Sequence, residues 1–131
     1  TIEFKLQIFF KIRLKRFFGA TLLVDRYIYD NVVTYAANLD LGEDYMRKTM
    51  DGKWKHAPRP DKIIYIKTPV EVCCSRKDDI PDSLYLEIRE PRYEVIAKMY
   101  NAAVIAGDQE KQTMLDEVMA VIDEVVPPLK K

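Results

Sequence analysis

Residues 62–67 form a short apolar run, KIIYIK, that is followed at once by a helix-start signal. Apolar residues without alternation are typical of a parallel strand buried on both faces. Thr68, Pro69, Val70 and Glu71 then form a capping box, with threonine as N-cap, proline at the first helical position and glutamate placed to bond back to the cap amide. The sequence therefore predicts a buried strand joined directly to a helix, the repeating unit of α/β folds.

Two further segments have the same apolar character, residues 20–25 (ATLLVD) and 103–106 (AVIA). Helical patterns separate the three runs: they cover residues 27–39, a stretch from the capping box to about residues 77–79, residues 83–102 with an interruption or restart at Pro91, and an amphipathic segment at 109–126. Strands that alternate with helices predict one α/β domain over residues 1–131, a three-layer parallel sheet with helices on both faces.

Two segments need separate interpretation. Residues 1–18 place apolar side chains at every second position from Ile2 to Leu14, which is the period of a strand. A strand of that length far exceeds the roughly five or six residues that are usual, so we expect a helix that is buried on several sides. Between Gly42 and Pro60 the chain is polar and its prolines forbid regular helix, which predicts a flexible loop over residues 42–60.

Composition argues against several kinds of site and partner. The chain has 21 basic and 21 acidic residues, and this balance lacks the positive charge of a typical nucleic-acid-binding protein. No apolar stretch approaches the roughly 18 residues of a membrane span. Cys73 and Cys74 are adjacent and His56 is the only histidine, so neither a disulfide framework nor a metal site is indicated. We expect a cytoplasmic protein that binds neither nucleic acid nor membrane.

The pair Asp25-Arg26 follows the first apolar run. In parallel sheets, ligands bind outside the carboxyl ends of the strands, so charged residues at that position are candidates for a site. A guanidinium offers a planar fork for phosphate, and a neighbouring carboxylate can hold the fork, accept a hydroxyl proton or help position magnesium. A structural ion pair between these two side chains is the alternative interpretation.

The motifs around this pair occur in a definite order along the chain. They are DRYIYDN at residues 25–31 with Thr34-Tyr35, Pro60-Asp61 before KIIYIK, TPVEV at 68–72 with Ser75-Arg76, and VIAGD at 104–108. Their order and spacing resemble those of the thymidylate kinases, a family of P-loop nucleoside monophosphate kinases. The resemblance covers most of residues 1–126.

The resemblance implies roles for individual residues. Asp25 and Arg26 would be catalytic, with Arg26 gripping the phosphate of the acceptor nucleoside monophosphate. Tyr27, Asn31 and Tyr35 would complete the substrate-binding set. On the ATP side, the resemblance implies a lid-like region at about residues 77–92 and three arginines that approach the phosphates: Arg76, Arg89 and Arg92. It also implies ATP as co-substrate and Mg²⁺ as cofactor.

Three features depart from the family pattern. Asp30 stands where a small hydroxyl residue is usual, and a carboxylate there would repel an anionic nucleotide. Tyr35 stands where a base-reading glutamine is often found. The third is the ATP-binding loop: glycines occur only at positions 19, 42, 52 and 107, so no stretch fits G-x-x-x-x-G-K-S/T. Without that loop, we expect the 131 residues to be inactive as a kinase.

The family also has a central strand between the strands that correspond to residues 20–25 and 62–67, and that strand has no counterpart here. A gap in a sheet would leave buried amides and carbonyls unpaired, which a marginally stable domain cannot tolerate. Three explanations remain open. The 131 residues are part of a longer protein, or the two strands pair directly, or they recruit a strand from another chain.

Three functions are compatible with this sequence. The first is a nucleoside monophosphate kinase, thymidylate-like, that transfers the γ-phosphate of ATP. The second is a non-catalytic, kinase-like module that binds a nucleotide or a protein partner. The third is a structural α/β domain in which Asp25-Arg26 is only an ion pair. The Phe-rich start either packs inside the domain or provides the surface of a homodimer.

Overall fold

The computed structural model describes residues 2–76 and 82–126. The elements in chain order are α1 (Ile2–Ile8), a π-helical turn (Phe9–Arg13), α2 (Leu14–Phe17), α3 (Tyr27–Asn38), α4 (Glu43–Asp51), β1 (Ile64–Lys67), α5 (Val70–Arg76), α6 (Ser83–Glu87), α7 (Glu90–Met99), β2 (Ala103–Ala106) and α8 (Lys111–Asp123). The described chain is therefore a mixed α/β structure that is mostly helical.

The amino-terminal segment is helical, as predicted, and the strand interpretation of its alternating pattern is wrong. α1, the π-helical turn and α2 follow one another without a break. Ile8 is buried and Ile12 packs against the core, but Phe17 is 83% exposed and Phe10 is 59% exposed. The expectation of burial on several sides is therefore also wrong, because this helix contacts the rest of the described chain along one side.

The sheet has two strands, both inside predicted apolar runs. β1 and β2 pair in parallel, in register from Ile64 opposite Ala103 to Lys67 opposite Ala106. The predicted strand at residues 20–25 is not formed, so its direct pairing with residues 62–67 is also wrong. A strand is stabilised by hydrogen bonds to a neighbouring strand, and residues 20–25 pair with no strand among the described residues. Leu23 is 91% exposed. A three-layer sheet is not seen in the described chain.

The hydrophobic core lies among helices rather than on the sheet. α3 is its centre and packs on α4 and α7. The buried side chains of α3 recur at helical spacing and face both neighbours: Ile28, Tyr29, Val32, Val33, Ala36 and Ala37. This stripe explains why residues 27–39 were predictable as a helix.

The predicted loop at residues 42–60 is wrong for its first half, because residues 43–51 form α4. Met46 and Met50 are fully buried and lie four residues apart, and Trp54, four residues further on, is also buried. Side chains at this spacing lie on the same face of a helix. On the exposed face, Arg47 donates to Glu43 at 2.8 Å. Burial of a narrow apolar stripe outweighs the polar composition of this segment.

The predicted helical region at 83–102 consists of two helices. The break lies before Pro91 rather than at it, because Pro91 belongs to the first turn of α7, where a missing N–H leaves no hydrogen bond unmade. Asp82 caps α6 by accepting a hydrogen bond from the amide of Tyr85 at 2.8 Å. Residues 77–81 of the predicted lid-like region, and the predicted end of α5, lie outside the described residues.

α8 confirms the predicted amphipathic helix and packs on β2. Its apolar stripe is only partly covered, because Met114 and Val118 are half-buried whereas Leu115 and Met119 are 48% and 46% exposed. In the described chain no helix combines the length and the apolar character that crossing a membrane requires.

Gly107, immediately after β2, should not tolerate a larger residue. A Cβ at this position would collide with the hydroxyl oxygen of Thr68 and lie 3.0 Å from Ile66 Cγ2. We expect Gly107→Ala to lower the free energy of unfolding by about 1–3 kcal/mol through overpacking. The control is Gly42→Ala, because a Cβ at Gly42 meets no atom within 4 Å. Gly42 is the N-cap residue of α4, so the cost of the control should be limited to a weaker N-cap, below about 1 kcal/mol. Urea unfolding of both variants measures the difference, and equal effects would contradict this packing.

Stability should fall at alkaline pH because five tyrosines pack in or beside the helical core. Burial is the main cause that raises the pKa of each hydroxyl: Tyr27, Tyr29, Tyr65, Tyr93 and Tyr100. A group whose pKa is higher in the folded than in the unfolded state stabilises the fold fully at a pH below its unfolded pKa. This stability is lost as the pH rises from the unfolded pKa through the folded pKa. The free energy of unfolding should therefore decrease above about pH 10. Denaturant titrations from neutral to alkaline pH test this, and Tyr93→Phe should show a weaker decrease.

Candidate functional site

Arg26 occupies a strained turn immediately before α3. The amide of Tyr27 donates to the carbonyl of Asp25 at 2.6 Å, and Arg26 between them has φ 59° and ψ −47°. This is the rare and strained form of the γ-turn, with positive φ at its centre. Tyr27 also has a positive φ of 52°. Two successive side-chain-bearing residues in this region are unusual, and such strain clusters at functional positions.

The guanidinium of Arg26 lies between two carboxylates. Its nearest contacts are Asp30 at 3.6 Å and Asp25 at 4.0 Å, and the Arg26 side chain is 66% exposed. Asp30 is anchored from the inside by the hydroxyl of Tyr93, which donates to it. Burial and the hydrogen bond to Asp30 both raise the pKa of Tyr93, so the hydroxyl remains a donor. The predicted catalytic pair is thus exposed, and Asp30 adds a second negative charge beside it.

Three predicted substrate-binding residues share one side of α3. Tyr27, Asn31 and Tyr35 are spaced four residues apart, and residues at this spacing are neighbours on a helix. Asn31 and Tyr35 are exposed, and Lys53 Nζ lies 5.8 Å from the centre of the Tyr35 ring. Tyr27 is half-buried and donates its hydroxyl to the carbonyl of Pro58 at 3.1 Å. The structure therefore places Arg26 at the beginning of an accessible stripe.

Arg89 and Arg92 lie at the opposite end of α3. Arg89 is buried, stacks over the Tyr85 ring at 3.7 Å and donates to Asn38 at 2.9 Å. Arg92 donates through Nε to the carbonyl of Leu41 at 3.1 Å. A helix of 12 residues is about 18 Å long, so these two arginines are separated from Arg26 by the length of α3. Both guanidinium groups are engaged within the chain.

Arg76 occupies a third place. It donates to the carbonyl of Gly107, just after β2, at 2.8 Å.

Asp25 and Arg26 do not follow a strand, because residues 20–25 do not form one. The contacts of the first turn of α3 are with residues that precede the strands, since Tyr27 reaches Pro58 and the Tyr29 ring lies 5.1 Å from the Tyr100 ring. The predicted acceptor-side and ATP-side residues are therefore not gathered in one cleft.

A charged group at the carboxyl end of β1 was not predicted from the sequence. Lys67 Nζ forms an ion pair with Glu94, and Glu90 lies 3.8 Å away. The hydrogen bond between Lys67 and Glu94 raises the pKa of Lys67 and lowers the pKa of Glu94. The partners are 27 residues apart and no motif contains both of them, so only tertiary packing brings them together. Among the described residues no cluster of three potential metal ligands is found.

The turn at Arg26 gives a direct test of its strain. Glycine adopts positive φ without steric cost, whereas alanine does not. Both Arg26→Gly and Arg26→Ala remove the same side chain and its exposed ion pairs, which contribute little. We expect Arg26→Gly to be more stable than Arg26→Ala by about 1 kcal/mol. Glycine relieves the backbone strain, and the greater flexibility of glycine in the unfolded chain offsets part of that gain. Thermal unfolding compares them, and an alanine variant as stable as the glycine variant would rule out the strained turn.

Comparisons with known proteins give one informative similarity. The chain is 25% identical over 109 residues to the probable thymidylate kinase 1 of Saccharolobus solfataricus, and the match covers 79% of the chain and 54% of that protein. The chain thus spans about half the length of this relative. No protein-family model and no solved structure matches the chain. At this distance the similarity supports a kinase-like relationship at a coarse level.

Proposed function

We propose that this chain provides the acceptor-binding part of a nucleoside monophosphate kinase of the thymidylate kinase type. The observation that carries the proposal is the exposed guanidinium of Arg26, held out by a strained turn at the start of the stripe formed by Tyr27, Asn31 and Tyr35. The similarity to a probable thymidylate kinase over most of the chain supports the same assignment.

The chemistry of this proposal is positioning and charge neutralisation, which account for most of catalysis in phosphoryl transfer. The fork of Arg26 binds the acceptor phosphate through two parallel hydrogen bonds. Asp25, which is almost fully exposed beside it, orients the fork. The exposed sides of Asn31 and Tyr35 contact the nucleoside, the tyrosine by stacking against the base.

Binding requires the phosphate to replace carboxylates that now neighbour Arg26. Such exposed ion pairs contribute roughly 0–1 kcal/mol, whereas hydrogen bonds between charged groups contribute about 1.5–3 kcal/mol. The exchange is therefore favourable if the guanidinium donates two hydrogen bonds to the phosphate. Asp30 is the main obstacle, since it is held in place by Tyr93 and cannot swing away freely.

In this proposal, ATP and Mg²⁺ are bound mainly by an element outside these 131 residues. The chain has no glycine-rich stretch of the kind that wraps backbone amides around the phosphates. Arg76 donates to the carbonyl of Gly107, and only a rearrangement at the sheet end would aim it at ATP. Arg89 and Arg92 would first have to leave the carboxyl end of α3.

The engagement of Arg89 and Arg92 favours a second candidate, a non-catalytic module of the same ancestry that binds a nucleotide or a protein. The exposed apolar side of the amino-terminal helix supports a protein-binding role, including a homodimer, because large exposed apolar patches mark interaction surfaces. Its most exposed large side chains are Ile2, Phe10, Phe17 and Phe18.

Calorimetric titration with thymidine monophosphate and a panel of other nucleoside monophosphates tests the acceptor site. Arg26→Ala should weaken binding by about 10–100-fold, the loss of charged hydrogen bonds. Asp30→Asn should strengthen it several-fold, because it removes the competing charge. The matched control is Arg47→Ala, since Arg47 is also an exposed arginine paired with a carboxylate four residues away.

Two outcomes would reject the acceptor site: no monophosphate binds, or Arg26→Ala and Arg47→Ala have equal effects. Kinase and module are distinguished by assaying the full gene product for ADP formation from ATP and the tightest-binding monophosphate. Phosphoryl transfer that is lost in Arg26→Ala supports the kinase. Tight monophosphate binding without transfer supports the module.

A further inference from the structure

A separate cavity lies where the loop before β1 meets α3 and the end of α7. Its volume is about 190 Å³, and because one water occupies about 30 Å³, it has room for a small polar group with part of its carrier. Arg26 does not line it. The lining residues that matter to the argument are Tyr29, Arg59, Asp61, Lys62 and Tyr100.

The charge of this cavity favours an anion. Arg59 and Lys62 both line it and both are partly buried. The acid among the lining residues, Asp61, is paired with Arg16 of the amino-terminal helix at 3.3 Å. Arg16 also donates to the carbonyl of Arg59 at 2.7 Å, which fixes the loop against that helix. Arg59 and Lys62 thus line the cavity, and neither forms an ion pair with a carboxylate among the described residues.

Arg59 is held in position before any ligand arrives. Its guanidinium donates to the hydroxyl of Tyr100 at 3.2 Å and to the carbonyl of Met50 at 3.4 Å, and it lies 5.1 Å from the centre of the Tyr100 ring. These contacts leave further N–H donors of the guanidinium free. A side chain that is fixed in this way loses little conformational entropy when it binds a ligand.

Tyr29 forms a wall of the cavity beside Arg59. Its side chain is 7% exposed and its hydroxyl oxygen is shielded, so a ligand in the cavity does not contact that oxygen. Burial raises the pKa of this hydroxyl, with Arg59 opposing the rise. The cationic groups that line the cavity, rather than the hydroxyl of Tyr29, are therefore the ones that can bind a ligand there.

We propose that this cavity is a second anion site, which binds the phosphate group of a small molecule between Arg59 and Lys62. A phosphate matches these donors because its oxygens accept hydrogen bonds from several directions, and because a guanidinium fork binds two of them at once. The site goes beyond the proposed acceptor site, since it uses none of the residues around Arg26. The same chemistry fits free phosphate and the phosphate of a nucleotide.

The test is calorimetric titration of the full chain with inorganic phosphate and, in a second arm, thymidine monophosphate. Lys62→Gln should weaken binding of inorganic phosphate about 10-fold. The control Lys111→Gln removes the same charge from α8, outside the cavity lining, and should leave binding unchanged.

The inference is overturned if inorganic phosphate does not bind, or if Lys111→Gln weakens binding as much as Lys62→Gln, since nonspecific attraction would then explain it. It is also overturned if Lys62→Gln leaves binding of inorganic phosphate unchanged, because that binding then lies elsewhere on the chain. Loss of the effect of Lys62→Gln in the nucleotide arm alone identifies free phosphate as the ligand. Equal effects in both arms identify the phosphate group of a nucleotide.

Discussion

The rest of this structure depends on the burial of α3 between α4 and α7. Ile28 and Val33 are completely buried, and each buried side chain of this size contributes about 1.5–3 kcal/mol. Because the helix is fixed along its length, its two ends are fixed too. One end carries the strained turn at Arg26, and the other receives the guanidinium groups of Arg89 and Arg92.

This arrangement separates the arginines by function. Arg89 and Arg92 bind polar groups at and just after the end of α3, the side chain of Asn38 and the carbonyl of Leu41. Arg26 is itself exposed and has the carboxylates of Asp25 and Asp30 beside it. Arg59 is held by a tyrosine and a backbone carbonyl and keeps further N–H donors. The guanidinium groups that remain available to an anion are therefore those at the amino end of α3 and in the loop before β1.

Sequence patterns predicted the elements whose signals are local. β1, β2, α3, the start of α5 and α8 were predictable because apolar runs, helical periodicity and a capping box are read within a few residues. The strand at residues 20–25 failed, since a strand also requires a neighbour. Helix α4 was missed because the segment is mostly polar, and its only apolar signal is two methionines and a tryptophan at a spacing of four residues. The sequence predicted Arg26 and the stripe of Tyr27, Asn31 and Tyr35 as one set of residues. It did not predict that Arg89 lies at the opposite end of α3 from Arg26.

The sequence by itself determined where the chain changes between strand and helix, which residues could meet phosphate, and the absence of a glycine-rich phosphate loop in these 131 residues. Only the tertiary structure decided which guanidinium groups are free, because that depends on partners such as Asn38 and Arg89, 51 residues apart. It also decided that Tyr29 and Arg59 share a cavity. Helical periodicity fixes the direction of a side chain locally, whereas its hydrogen-bond partners are fixed only when distant elements pack.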